Sequence, residues 1–237
     1  MNRLLTRLSF ALILTYPVYS QTSDLSYLVF LRPDPGRKPL TQADAERIQA
    51  AHMANIRGMA DRGVLAAAGP FGDTPATISG VFVFKTRSLE EARGIAAQDP
   101  TVVEHRNIVE AFAWRGPTGI GDEYVRLHKQ DPKTPQDMGV QPFCMLYRGA
   151  AWEQRQGERA AILRAHDEYL GSLRREGKLG ATGPIEDSRD LLAIVIFNRM
   201  PDEDARRLMD DDPAVKAGVF RVEYHRWWCA AHVLPGR

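Results

Sequence analysis

The sequence predicts an α+β fold built from two ferredoxin-like βαββαβ repeats packed sheet to sheet. Three features lead there. First, one phrase occurs twice: His52, then Gly63-Val64-Leu65-Ala66-Ala67-Ala68-Gly69-Pro70, then Asp73; and His166, then Gly177-Lys178-Leu179-Gly180-Ala181-Thr182-Gly183-Pro184, then Asp187. The offset is 114 at the histidine (166 − 52), the glycine (183 − 69) and the aspartate (187 − 73), and 113 at Asp99-Pro100 and Asp212-Pro213. Second, each half reads strand, helix, strand, strand, helix, strand. Third, Val81 to Phe84 and Leu191 to Phe197 are apolar at every position, without the alternation of a half-wet strand, so they belong to sheets covered on both faces. Helices cover one face, and in a tandem chain the natural cover for the other is the second sheet, as a pseudo-dimer within one chain.

The elements follow in order. Tyr27 to Leu31 is an apolar run ending at Arg32, and Pro33 with Pro35-Gly36 marks a turn. Thr41 and Asp44 form a capping box. The helix they open carries Ile48, His52, Ile56 and Met59 on one face, with Gly63 as its stop. Val64 to Ala68 and Val81 to Phe84 are strands. A helix starts at Ser88-Leu89-Glu90-Glu91 and stops at Asp99-Pro100, and Ile108 to Trp114 closes the repeat. Residues 116–141 are rich in Gly, Pro, Asp and Lys and read as a linker. The second repeat has strands at Phe143 to Tyr147, Leu179 to Thr182, Leu191 to Phe197 and Phe220 to Cys229. Its first helix has a stripe of Ile162, His166, Tyr169 or Leu170, and Leu173; its second runs from Asp202 to about Asp210. The repeats cover 25–115 and 142–232.

With 31 basic and 30 acidic residues scattered along 237 positions, no charge run marks a nucleic-acid groove or a polybasic membrane patch. At the N-terminus, Arg3 and Arg7 precede the apolar stretch Leu8 to Leu14, Pro17 breaks it, and Val18-Tyr19-Ser20 offers a cleavage site. This is the pattern of a secretory signal peptide over residues 1–20, too short to span a bilayer comfortably, and it predicts a periplasmic or secreted protein without a stable membrane span; an uncleaved anchor and a misassigned start codon are the alternatives.

The repeated phrase Gly-x-Leu-x-x-x-Gly-Pro, with a histidine eleven residues before it and a later Asp-Pro, resembles the YCII-related domain family. The matching residues are His52, Gly63, Leu65, Gly69, Pro70, Asp73, Asp99 and Pro100, and again His166, Gly177, Leu179, Gly183, Pro184, Asp187, Asp212 and Pro213. The resemblance implies a dimeric α+β barrel and a histidine–aspartate pair in a cleft. One branch of the family is associated with dehalogenation of a chlorinated hydroxyhydroquinone. The tandem fusion and the apparent export depart from typical members.

His52 and His166 are the leading candidates for chemistry. Each lies on the apolar stripe of its helix, where burial disfavours imidazolium and a carboxylate favours it, so an Asp–His pair there acts as a general base or acid. Asp73 and Asp187, after the Gly-Pro, and Asp99 and Asp212, before proline, are the possible partners; turn chemistry and a helix stop are the plain alternatives. Arg32 and Arg148 both end a first strand and are candidates for holding an anionic or phenolic substrate. Glu110 and Glu223 occupy matching places in the last strands, with His225 two residues beyond Glu223. No zinc motif, P-loop or dinucleotide fingerprint occurs, so no metal or cofactor is expected. The expected partner is a small molecule, bound for lyase, isomerase or dehalogenase chemistry; the alternative is a non-catalytic ligand-binding or structural module. Cys144 opens and Cys229 closes neighbouring antiparallel strands, so a disulfide between them is one expectation and two buried thiols the other.

Overall fold

The strands form where the apolar runs lie, and the helices where capping residues precede a 3.6-residue stripe. This computed structural model describes residues 23–73, 77–131 and 137–235; the signal peptide read over 1–20 lies outside them. The first repeat consists of β1 (Ser23–Pro33), α1 (Gln42–Asp61), β2 (Leu65–Pro70), β3 (Gly80–Phe84), α2 (Leu89–Ala96), the single turn α3 (Pro100–Val103) and β4 (Asn107–Pro117). Helix α4 (Asp122–Gln130) occupies part of the segment read as a linker. The second repeat has β5 (Met138–Arg148), α5 (Arg159–Arg175), β6 (Leu179–Pro184), β7 (Leu191–Phe197), α6 (Asp202–Asp210), the single turn α7 (Pro213–Lys216) and β8 (Phe220–Ala230). Thr41 caps α1 by accepting from the Asp44 amide, and Ser88 caps α2 by accepting from the Glu91 amide. Asp-Pro does not merely stop a helix. Asp99 and Asp212 are the N-caps of α3 and α7, with proline at the first helical position.

The strand orders are β2-β3-β1-β4 and β6-β7-β5-β8, antiparallel throughout, which is the ferredoxin-like arrangement twice. Three apolar layers result. Between the sheets lie Leu28, Phe30, Trp114, Phe143, Met145 and Trp227. Tyr27, Val29, Leu31, Met59, Phe82 and Phe84 fill the space under the helices of the first repeat, and Cys144, Leu146, Leu170, Leu173, Phe197 and Phe220 do so in the second. Strand β3 is buried along its whole length because Val81 and Val83 face the other sheet while Phe82 and Phe84 face helices.

The two sheets close into one barrel along two seams, and the twice-repeated phrase builds both. Past Pro70 the chain of β2 meets β8: Phe71 bridges Trp227 and the Gly72 amide donates to the Arg226 carbonyl. Past Pro184 the chain of β6 meets β4 in the same way, through Ile185 with Trp114 and the Glu186 amide with the Ala113 carbonyl. A Cβ on Gly69 would overlap the Trp228 carbonyl, and one on Gly183 the Arg115 carbonyl. Glycine is therefore required by backbone approach, and proline suits an edge where no ladder donor is needed. One barrel end is plugged by Ile120 and Val233, both buried, where the Gly121 amide donates to the Val233 carbonyl.

Of the two expectations for the cysteines, buried thiols is the one the structure bears out. Cys144 and Cys229 are free, buried thiols. Strand β5 begins at Met138, and Cys229 stands opposite Gly139, five residues from Cys144 (144 − 139), or about 17 Å along the strand. The two cysteines also belong to layers on opposite faces of the sheet, which no disulfide can span. Arg32 and Arg148 both lie at the end of a first strand, but they are not equivalent in register. Arg32 pairs with Ile108 and Tyr147 with Arg221, and 221 − 108 = 113 is the repeat offset at this strand, so Tyr147 holds the equivalent place.

Candidate functional site

Each helix stripe delivers its histidine to the Asp-Pro turn of the same repeat. His52 Nδ1 lies 2.9 and 2.8 Å from the two oxygens of Asp99. Asp99 is fully buried and also accepts from the Thr101 amide and hydroxyl and from Asn55 Nδ2. Burial alone would raise the Asp99 carboxyl; the hydrogen bonds from His52, Thr101 and Asn55 outweigh it and hold the group below its ordinary value. Asp99 is thus an ionised acceptor, which makes Nδ1 the donor and leaves Nε2 as the free basic nitrogen. In the second repeat His166 Nδ1 lies 2.6 Å from Asp212, whose other oxygen accepts from the Ala214 and Val215 amides. The two pairs differ in access: the His52 side chain is 15% exposed and that of His166 7%. The His166 ring also stands edge-on to Phe220 at 5.0 Å.

Asp73 and Asp187 are not partners of these histidines. Both lie on the seams and accept from an amide of the other repeat, Asp73 from Arg226 and Asp187 from Ala113. Asp73 does more: its second oxygen is 2.5 Å from Nδ1 of His225, whose Nε2 is 3.0 Å from Glu223. This cluster was only half legible in sequence, through the spacing of Glu223 and His225.

Arg32 belongs elsewhere again. Leu28 and Phe30 face the barrel interior, and Arg32 continues that alternation, so it lies on the opposite face of its sheet from His52. It forms a close ion pair with Glu110. Burial opposes its charge, but Glu110 and Tyr147 raise its pKa above the usual value. Burial also pushes up the Tyr147 hydroxyl, helped by Glu223. Arg148 points to the helix side, 5.0 Å from the Trp152 ring and 3.8 Å from Glu153.

A cleft of about 510 Å³ opens at the seam of β2 and β8, and Asp73, Glu223, Tyr224 and His225 line it. Among the described residues no three His, Cys, Asp or Glu side chains are placed to hold a metal ion, and no helix is long and apolar enough to cross a membrane.

Solved structures share this architecture. A chlorite dismutase from Candidatus Nitrospira defluvii superposes with TM-score 0.55 at 13% identity, covering 87% of this chain and 92% of that one. A heme-binding protein from Thermus thermophilus does so with TM-score 0.50 at 16% identity, covering 86% and 91%. A putative chlorite dismutase gives 0.52 at 10% identity, covering 86% and 95%. At these identities the likeness is one of fold. No curated protein sequence matches the chain. The model of the YCII-related domain matches twice, over residues 26–114 and 123–228, and with both repeats accounted for, the chain belongs to the YCII-related domain family.

Proposed function

We propose that the protein performs acid–base chemistry on a small carbonyl or hydroxyaromatic compound, with His52 as the proton-transferring group and Asp99 as its orienting partner. The observation that carries this reading is the double approach of Asp99 to His52 Nδ1, by a carboxylate itself held in place by Thr101 and Asn55. Such a carboxylate fixes the ring and its tautomer, and stabilises the imidazolium formed when Nε2 takes a proton from substrate. Nε2 exchanges that proton with solvent and delivers a solvent-derived one to the product carbon or, where the leaving group needs it, to the leaving group; a departing halide leaves as the anion. The smaller exposure of His166 supports assigning the active role to the first repeat and a packing role to the second. A signal peptide over residues 1–20 would direct this activity outside the cytoplasm.

The heme named for one structural neighbour does not fit at His166. A histidine with a carboxylate on Nδ1 suits an axial ligand, but the layer around His166 is filled by Leu170, Leu173, Phe197 and Phe220, each at most 7% exposed. A porphyrin there would have to displace this core, and no step here runs through one.

The test is proton exchange. The purified protein is incubated in D2O with a panel of carbon acids (2-oxoacids, β-ketoacids and dihydroxybenzenes), and deuterium incorporation is read by mass spectrometry. Catalysed exchange that is lost in His52→Gln and kept in His166→Gln is the expected result. Exchange that survives in the double variant would overturn the proposal.

A further inference from the structure

The two seams are built alike, yet only one carries a buried histidine. By the offset of 113, His225 corresponds to Phe112, Glu223 to Glu110 and Arg226 to Ala113. Phe112 serves the first repeat without a polar group, so closing the barrel does not require an imidazole at this place. A buried polar ring costs free energy unless it is fully hydrogen-bonded, and the second repeat bears that requirement where the first does not.

The requirement is met by a three-residue relay across the repeats. Asp73 comes from the first repeat; His225, 5% exposed, and Glu223 come from β8 of the second. Both ring nitrogens face carboxylate oxygens. With the Nδ1 proton donated to Asp73, a second proton must lie between Nε2 and Glu223, on one or the other. Glu223 is about one-third exposed and lines the cleft, so that proton is offered to whatever occupies it. The other titratable and charged groups around it are Tyr147, whose hydroxyl Glu223 helps to push up, with the Arg32–Glu110 pair beside that hydroxyl; Arg221, 4.0 Å from Glu223; and Arg226, whose Nε is 2.9 Å from Asp202. One cation of the cleft has no carboxylate partner among the described residues: Arg206, whose guanidinium lies 4.3 Å over the Tyr224 ring. A guanidinium held over an aromatic ring and lining a cleft is suited to a carboxylate.

We infer that the β2–β8 cleft is a second binding site, separate from the His52–Asp99 pair, for a small hydroxy- or oxo-acid. Arg206 takes its carboxylate, and the Glu223–His225 pair hydrogen-bonds its hydroxyl or keto oxygen through the shared proton. The volume of about 510 Å³ admits a ligand of this size with water. The inference does not depend on the activity assigned to His52, because it uses different residues, all but Asp73 from the second repeat.

Calorimetric titration of the full chain with pyruvate, lactate and salicylate, in buffers of differing ionisation enthalpy, tests it. At least one of these is expected to bind with a measurable proton exchange. Arg206→Gln should weaken that binding tenfold or more, and His225→Phe should abolish the proton exchange while leaving the melting temperature within a few degrees, because it installs the residue of the first seam. Glu223→Gln should likewise remove the proton exchange. Failure of all three acids to bind, binding indifferent to Arg206→Gln, proton exchange that persists in His225→Phe, or unfolding of that variant would each overturn the inference.

Discussion

Replacing Gly183 by alanine should separate the seam from the rest of the fold. The added Cβ would overlap the carbonyl group of Arg115 and come against the Gly116 backbone. Both obstacles are backbone, so no rotamer change relieves them, and the strands must part where the Glu186 amide and Trp114 indole bond across the seam. Overpacking of this kind costs about 3 kcal/mol. For a chain of this size each kcal/mol moves the melting temperature by roughly 2–4 °C, so a fall of about 6–12 °C is expected by calorimetry. Gly69→Ala should behave alike, through the Trp228 carbonyl. The control is Gly94→Ala in α2, where a Cβ meets nothing within 4 Å and the helix gains about 0.5–1 kcal/mol. If Gly183→Ala and Gly69→Ala melt with the unaltered protein, the glycines are not there for close approach and the structural reading of the repeated phrase is wrong.

Three further outcomes follow from the geometry. Because Asp99 is held below the ordinary carboxylate value in the folded state, its stabilisation is complete above the unfolded value of about 3.9 and is lost as pH falls through the lower folded one. Asp99→Ala should therefore cost about 2 kcal/mol at pH 7 and flatten the acid limb of the stability curve, a profile that urea titration between pH 2 and 7 would show. Trp114→Phe should be costlier than Trp227→Phe by about 1 kcal/mol: the Trp114 indole donates to the Gly183 carbonyl at 3.1 Å, whereas the buried Trp227 indole has no acceptor among the described residues. In thiol titration, Cys144 and Cys229 should be silent in the folded protein and both appear in denaturant, since each is buried and burial pushes the Cys229 thiol up to about 12; reductant should leave the melting temperature unchanged.

The order of elements and the doubled sheet were legible because they rest on local signals: caps, apolar stripes and runs without alternation. The candidate pairs were legible only as a set of residues. His52 and Asp99 are 47 positions apart, and sequence offers Asp73 and Asp99 to the histidine on equal terms. What separates them is the seam, which carries Asp73 to an amide 153 positions away in the other repeat. The glycine before Pro70 has a turn-like signature, and its actual constraint, the Trp228 carbonyl, is 159 positions away (228 − 69). The sequence starts β5 five residues too late, at Phe143, because Gly139 and Pro142 mimic loop composition; Pro142 in fact sits inside the ladder opposite Arg226, and this shift is what brings a disulfide into consideration. Arg32 and Arg148 share a strand end but not a register place, because the repeat offset drifts along the chain, and only strand register shows it.

The chemistry assigned to His52 rests on Asp99 fixing its ring with Nδ1 as donor and Nε2 free. Long-range nitrogen–proton correlation NMR on uniformly ¹⁵N-labelled protein, with His52→Gln to assign the ring, measures this without any substrate. His52 Nδ1 should carry a proton across the neutral range, and only Nε2 should gain or lose one as pH changes. A spectrum showing the Nε2-protonated tautomer, with Nδ1 as the unprotonated nitrogen, would be incompatible with that role.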